Sequence, residues 1–374
     1  MIFILYGIMF LYSIAIGLLI YGFSKVRSFE SNGLLPKTKF TIIVPFRDEA
    51  ENMPKLLNSF SKLNYPSDLF EVILVDDASD FRFQILDACG SGLAKHFRFN
   101  ISIIDNIRES NSPKKDAIST AIQFVKTDWI ITTDADCTVK ENWLLTLDNY
   151  IQNHEVLMIS GAVTYYCENL FLHHFQQLDL ASLQGATIGS FGLGKGFMCN
   201  GANFAYTKSL FEELDGFDGN DKIASGDDVF LLQKAIAQFP EKVHYVKSDA
   251  TIVTTKPMND WKSLFYQRVR WASKTSSYQS KFGIGLGLVV FGGNLCCMIG
   301  MMYWILDLIP LQNIISLLIL KFTIDAILIY KANHFLTRKR MCYLIFGSLL
   351  YPFFSTSVAL YSLFGKYEWK GRQF

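Results

Sequence analysis

The chain reads as an α/β protein on a mainly parallel sheet, flanked by one N-terminal and about three C-terminal membrane segments. Near-continuous apolar and β-branched runs, "KFTIIVPF", "FEVILV", "NISIID" and "WIITTD", alternate with helical stretches. Runs without polar alternation mark strands covered on both faces, which is the habit of parallel sheets. The flanks follow from charge: residues 1–23 carry none, and further apolar blocks cover about 284–309, 311–330 and 341–364. Each is long enough to cross a bilayer as a helix.

In chain order, 1–24 is the first membrane helix, followed at once by Lys25 and Arg27. Basic residues there place the following segment in the cytoplasm. A signal peptide is the competing reading, but no basic residue precedes the apolar core, the core is too long, and no A-x-A-like site follows. Residues 25–36 form a polar linker ending in Pro36. The strand runs are then separated by helices expected over 50–62, 81–95, 114–126 and 141–151, and the α/β domain as a whole covers 25–255. Residues 256–281 hold a helix carrying Trp261, Leu264, Phe265, Val269 and Trp271 just before the membrane block, where it would lie at the interface. Membrane segments fill 282–365. In the second block, Lys321 and Asp325 are four apart, so they share a helix face and can pair. The loop "KANHFLTRKR" after it reads as cytoplasmic. The third block contains Pro352 and precedes the basic tail 366–374. A full crossing would put that tail outside, against the charge rule. A kinked or re-entrant block would keep it on the cytoplasmic face, which its basic residues favour.

A net charge of +1 gives no sign of a nucleic-acid partner; the basic residues read as solvated surface. Seven cysteines are scattered without metal-ligand spacing, which argues against a disulfide framework and fits a reducing compartment. His173 and His174 are adjacent, so on a helix they face different ways and read as a satisfied pair rather than a metal site. "YYC" at 165–167 reads as core.

Candidate chemistry lies where strands end in acids. "VILVDDASD" sets Asp76 and Asp77 at the end of the second strand, and "IITTDADC" sets Asp134 and Asp136 at the end of the fourth. Ligands bind beyond the carboxyl ends of such strands. Like charges gathered there need a positive partner, and a divalent ion bound to phosphate is one. Taken alone D-x-D is weak, because Asp is common in turns. Other pieces accumulate around it: Pro45 and Glu49 where the first strand meets a helix, Lys114 and Lys115 at a helix start suited to phosphate, and the Gly/Asn-rich "CNGANFAYTK" with Asn200 and Gly201. "SGDDVFLL" puts Asp227 and Asp228 at a helix N-terminus, where an acid can also be a plain cap. "QRVRW" sets Gln267, Arg268, Arg270 and Trp271 on the juxtamembrane helix, where they can also be a simple anchor.

The ordered set P-F-R-D-E, D-D-x-S, D-x-D, G-D-D and Q-R-x-R-W resembles the family 2 glycosyltransferases of GT-A fold over about residues 38–275. It looks most like the membrane-integrated branch that includes ceramide glucosyltransferases, cellulose synthases and hyaluronan synthases. The resemblance implies that Pro45, Arg47 and Glu49 line a nucleotide pocket and that Asp76 and Asp77 contact base and ribose. Asp134 and Asp136 would hold Mg²⁺ or Mn²⁺ on the diphosphate. Asp228, beside Asp227, would be the general base, and Gln267, Arg268, Arg270 and Trp271 would cap the diphosphate and acceptor site. Lys114, Lys115, Asn200 and Gly201 complete the expected substrate-binding set. The implied activity is inverting transfer of a sugar from a nucleotide diphosphate sugar, expected to be a UDP-sugar, to a membrane lipid hydroxyl. The enzyme would sit in a bacterial-type plasma membrane with its catalytic domain in the cytoplasm. A processive polysaccharide synthase, taking a glycan acceptor, is the alternative, and an inactive membrane scaffold a more distant one. Four helices with few polar residues favour the lipid-modifying reading over a secretion channel.

Overall fold

The computed structural model describes residues 2–80, 97–220 and 225–365, with the backbone of 368–369 and 372–373. The helix expected over 81–95, Cys89 within it, and much of the tail lie outside the described residues. In chain order the elements are α1 (Ile2–Lys25), β1 (Phe40–Phe46), α2 (Met53–Ser61), β2 (Phe70–Asp76), β3 (Asn100–Asp105), α3 (Pro113–Ile122), β4 (Trp129–Thr132), α4 (Trp143–Asn153), β5 (Met158–Gly161) and β6 (Val163–Tyr165). There follow α5 (Phe171–Gly192), β7 (Phe204–Thr207), α6 (Lys208–Glu213), α7 (Asp227–Gln238), β8 (Val243–Val246), β9 (Val253–Thr255), α8 (Trp261–Ser273), α9 (Lys281–Ile305), α10 (Leu311–Leu336), α11 (Leu344–Phe364) and the short pair β10 (Glu368–Trp369) and β11 (Arg372–Gln373). Two compact units result, one from 27–166 and 198–256, the other from 1–26, 167–197 and 257–374.

The first unit is a seven-stranded sheet in the order β3-β2-β1-β4-β7-β5-β8. Strands β1 to β4 are mutually parallel where they pair, β7 runs antiparallel to both β4 and β5, and β8 is parallel to β5. The sheet is therefore mainly parallel, as the apolar runs predict. Its β1 and β4 residues are almost wholly buried, with Ile42, Val44 and Ile131 in the core beside Leu56, Leu57 and Phe60 of α2. Pro54 in the first turn of α2 and Pro113 at the start of α3 suit positions whose N–H has no helical partner. A small parallel pair, β6 with β9, completes the unit. The expected core at 165–167 divides here: Tyr165 is buried, whereas Tyr166 is 68% exposed. Successive side chains of an extended strand point to opposite faces.

The second unit is helical. Four of its helices, α1, α9, α10 and α11, are long and apolar enough to cross a membrane. Helix α5 is packed among them through glycines. A Cβ on Gly192 would lie 1.9 Å from the Gly22 carbonyl oxygen, and one on Gly189 would lie 2.5 Å from that of Leu19. Small residues on one helix face allow such backbone approach. Gly293 of α9 similarly receives the Tyr12 ring, and Gly185 receives Leu328 of α10. Lys321 and Asp325 pair at 2.5 Å, and the Tyr12 hydroxyl also donates to Asp325 at 2.5 Å. Helix α11 runs unbroken from Leu344 to Phe364 through Pro352. The third block is thus one continuous helix. His173 is buried and its Nδ1 accepts from the Glu168 N–H, while His174 Nε2 bonds Asn169, so both histidines are satisfied.

Candidate active site

The register of the parallel strands gathers the acids at one edge. Phe46 lies opposite Asp76, Asp76 opposite Asp105, and Ile43 opposite Thr132. Asp134 therefore follows the end of β4 by two residues, at the level of the half-buried Pro45, and Asp136 lies just beyond.

On the β1/β2 side the two loops are laced together. Arg47 Nη1 donates to the Asp77 carbonyl at 3.0 Å, the Asp48 N–H to Ser79 Oγ at 3.0 Å, and the Asp80 N–H to Asp48 Oδ1 at 2.8 Å. Asp48 and Ala78 adopt left-handed backbone, with φ of 53° and 55°, a conformation such residues hold only where neighbours enforce it. Asp76 Oδ1 accepts from the N–H and hydroxyl of Ser79 at 3.0 and 2.6 Å. The Asp77 carboxylate accepts from Asn106 Nδ2 at 2.8 Å and from Arg108 Nη1 at 3.1 Å. Arg108 in turn reaches Asp116 at 3.3 Å. Glu49 Oε2 accepts from Asn52 at 2.6 Å. Arg108 escapes sequence reasoning because nothing near it marks it as the partner of an acid 31 residues upstream.

The central cluster joins three segments distant in sequence. Lys114 Nζ, at the start of α3, donates to Asp134 Oδ1 at 2.7 Å and lies 3.4 Å from Asp227 Oδ2. Burial alone would pull this ammonium down, but Asp134, Asp227 and Asp228 outweigh it and hold it above its usual range. Gly201 lies among them. Its N–H donates to Asp228 Oδ2 at 2.9 Å, and its carbonyl accepts from Thr132 Oγ1 at 2.8 Å. A Cβ there would stand 3.0 Å from Asp227 Oδ2 and 3.2 Å from Lys114 Nζ, so glycine lets the ion pairs close. Neighbouring Asn200 turns its Oδ1 back onto the Ala202 N–H at 3.0 Å. Asp227 and Asp228 open α7 after Gly226, whose φ is 85°, a left-handed value that favours glycine. Asp228 Oδ1 accepts from the Val229 N–H at 2.7 Å. The buried Tyr206 hydroxyl stands close enough to be pushed up by Asp227, after burial itself, with Lys114 opposing. Lys115 does not join Lys114. It is 2% exposed, donates to the Asn220 carbonyl at 2.5 Å, and lies 5.1 Å from the centre of the Phe230 ring. Consecutive helix residues point about 100° apart, so only one of the two lysines faces the acids.

Ligand atoms of Asp134, Asp136 and Cys137 lie within 4.8 Å of one another. Cys137 is buried, and burial followed by Asp136 and Asp134 pushes its thiol well above its ordinary range, so it stays neutral. Asp136 Oδ2 accepts from Thr255 Oγ1 at 3.1 Å, which orients it. Asp134 is 40% exposed at its side chain. Two hard oxygen donors, one fixed and one open to solvent, with a soft neutral thiol behind them, fit Mg²⁺ or Mn²⁺ with coordination positions left for phosphate.

The Q-R-V-R-W residues belong to the helical unit. Helix α8 is capped by Asp260, which accepts from the Ser263 N–H at 2.8 Å. Arg268 is 5% exposed; its Nε donates to Asp179 of α5 at 2.5 Å, it also bonds Gln267 Oε1, and its guanidinium sits 4.1 Å from the centre of the Trp271 ring. Val269 is buried against Val358 of α11, while Arg270 and Trp271 are half-buried.

Sheet order, strand-end acids and the antiparallel β7 define a GT-A-type α/β fold. Residues 41–215 match the family described as Glycosyl transferase family 2, and residues 129–330 match Glycosyl transferase family group 2. The second match takes in more than half of the chain, which belongs to this family. The probable glycosyltransferase YdaM of Bacillus subtilis (strain 168) is 26% identical over 283 residues, covering 70% of this chain and 62% of that protein. TarS of Staphylococcus aureus (strain Mu50 / ATCC 700699), a poly(ribitol-phosphate) β-N-acetylglucosaminyltransferase, is 28% identical over 124 residues, covering 32% of this chain and 20% of TarS. The chain thus spans less than two thirds of the length of either relative. Among solved structures, the mannosyltransferase PcManGT of Pyrobaculum calidifontis, in complex with GDP-Man and Mn²⁺, shares the fold at a TM-score of 0.58 and 16% identity, with 90% of this chain and 96% of that one covered.

Proposed function

We propose that the chain is a membrane-integrated, inverting glycosyltransferase that moves a sugar from a nucleoside diphosphate sugar to a hydroxyl of a membrane lipid. The observation that carries this reading is the convergence of D-x-D and G-D-D on Lys114 and Gly201 at the carboxyl edge of the sheet. Membership of the family supports sugar transfer, and the YdaM and TarS descriptions point the same way. Asp134 and Asp136 would hold Mg²⁺ or Mn²⁺, which when bound neutralises the charge that the leaving diphosphate gathers. Asp76, Asp77, Pro45, Arg47 and Glu49 would receive the nucleoside. Asp228, fixed by two backbone N–H groups, would accept the proton of the acceptor hydroxyl as that oxygen bonds to the anomeric carbon. For Gln267, Arg268, Arg270 and Trp271 the family resemblance implies a role in capping the diphosphate and acceptor.

The four apolar helices support a membrane home. With Lys25 and Arg27 inside, the loop 337–343, bearing Arg338, Lys339 and Arg340, also falls inside. If α11 crosses fully, the tail lies outside. A lipid acceptor is favoured over processive export because Lys321 and Asp325 bond each other and Tyr12, which leaves them no polar path to line. The test is nucleoside diphosphate release from UDP- and GDP-sugars by the full chain in nanodiscs, with and without bacterial lipid extract. Release stimulated by lipid supports the reading, and release from no donor refutes it.

A further inference from the structure

We propose that Lys114 is a resident counter-ion that makes cation binding at Asp134 and Asp136 conditional on a diphosphate. This rests on the donor-site reading above. The ammonium already neutralises Asp134 at 2.7 Å and stands 3.4 Å from Asp227, so one cation ties the D-x-D to the G-D-D. Its place is built. Gly201 leaves room for it where a Cβ would meet Lys114 Nζ at 3.2 Å, and the Gly201 backbone is itself held to Thr132 and Asp228. Lys114 is 22% exposed at its side chain and Asp134 40%, so the pair is open to an incoming ligand.

A lone divalent ion seeking Asp134 must displace the ammonium and meet its repulsion. A diphosphate brings oxygens that can take over the ammonium, freeing Asp134 for the metal. Metal and diphosphate then strengthen each other's binding, and such coupling is reciprocal. Lys115, turned into the core, has no share in it.

The test is Mn²⁺ binding by the full chain in nanodiscs, followed by electron paramagnetic resonance without nucleotide and with saturating UDP or GDP. Without nucleotide, K114M should bind Mn²⁺ about tenfold more tightly than wild type, or better, while K114R should track wild type. UDP or GDP should tighten Mn²⁺ by about tenfold in wild type and by much less in K114M; tenfold corresponds to about 1.4 kcal/mol. Unchanged or weaker nucleotide-free binding in K114M overturns the proposal, as does K114R behaving like K114M. D134N should lose Mn²⁺ in either background, and binding that survives it overturns the site itself. Failure of the donor reading looks different: K114M gains Mn²⁺ affinity but neither nucleotide changes wild type, which overturns the coupling.

Discussion

Asp228→Asn removes one charge and preserves shape, yet the local hydrogen bonds make it a costly change. Both carboxylate oxygens accept backbone N–H groups, Oδ2 from Gly201 at 2.9 Å and Oδ1 from Val229 at 2.7 Å. Whichever way the amide turns, its NH₂ must face one of these donors. A hydrogen bond to a charged group contributes about 1.5–3 kcal/mol, and a buried donor left facing another donor costs about as much as its desolvation. We expect a loss of about 2 kcal/mol. For a unit of this size that lowers the melting temperature by roughly 4–8 °C. Loss of the general base should separately cut turnover by about 10²–10⁴-fold with little change in KM. Asp227 faces Lys114 instead, so Asp227→Asn should show a smaller thermal shift and keep more activity. Differential scanning fluorimetry and donor turnover on both variants decide the matter. Normal melting of Asp228→Asn refutes the geometric argument. Normal turnover, with the loss falling on Asp227→Asn, moves the base one residue upstream.

Gly192→Val should part α1 from α5, because its Cβ would stand 1.9 Å from the Gly22 carbonyl, which is backbone and cannot swing aside. Thermal unfolding in detergent should fall by more than the usual overpacking cost of about 1–3 kcal/mol, and an unchanged midpoint contradicts the packing. Asp179→Ala removes the buried carboxylate that faces the Arg268 guanidinium, a change that costs about 3–5 kcal/mol. A double change to Asp179→Leu and Arg268→Met should recover most of that stability in the same assay. Gln373→Cys should react with a membrane-impermeant thiol reagent in intact cells if α11 crosses fully, while Cys167 and Cys199 stay unlabelled until lysis. Labelling of Cys167 or Cys199 in intact cells inverts the orientation.

Strands β1, β2 and β4 are legible in the sequence because burial on both faces demands unbroken apolar runs such as "FTIIVPF" and "WIIT". Strand β3, whose run "NISIID" also predicts cover on both faces, instead lies at the edge of the sheet and is exposed at Asn100, Ser102 and Asp105. The strand-end acids are legible for the same reason, since a carboxylate cannot continue such a run. Lys321 and Asp325 pair as helical spacing requires, but their third partner, Tyr12, is 309 residues from Lys321, and no local pattern announces it. Lys114 and Lys115 look equivalent on paper; helix phase alone separates them. Helix α5 packs against α1 and α10. Its place among the apolar helices is written in Gly185 and Gly189, a small-residue spacing that signals close helix packing. The partners of Arg268 and Asp77 depend on tertiary contacts 89 and 31 residues apart, which periodicity does not encode.

The most direct test of the central claim is transfer of radiolabel from a nucleotide sugar into butanol-extractable lipid, comparing wild type, Asp136→Ala and wild type in excess chelator. The account predicts extractable label for wild type with Mg²⁺ or Mn²⁺, and none for the variant or with chelator. Equal labelling in all three contradicts it.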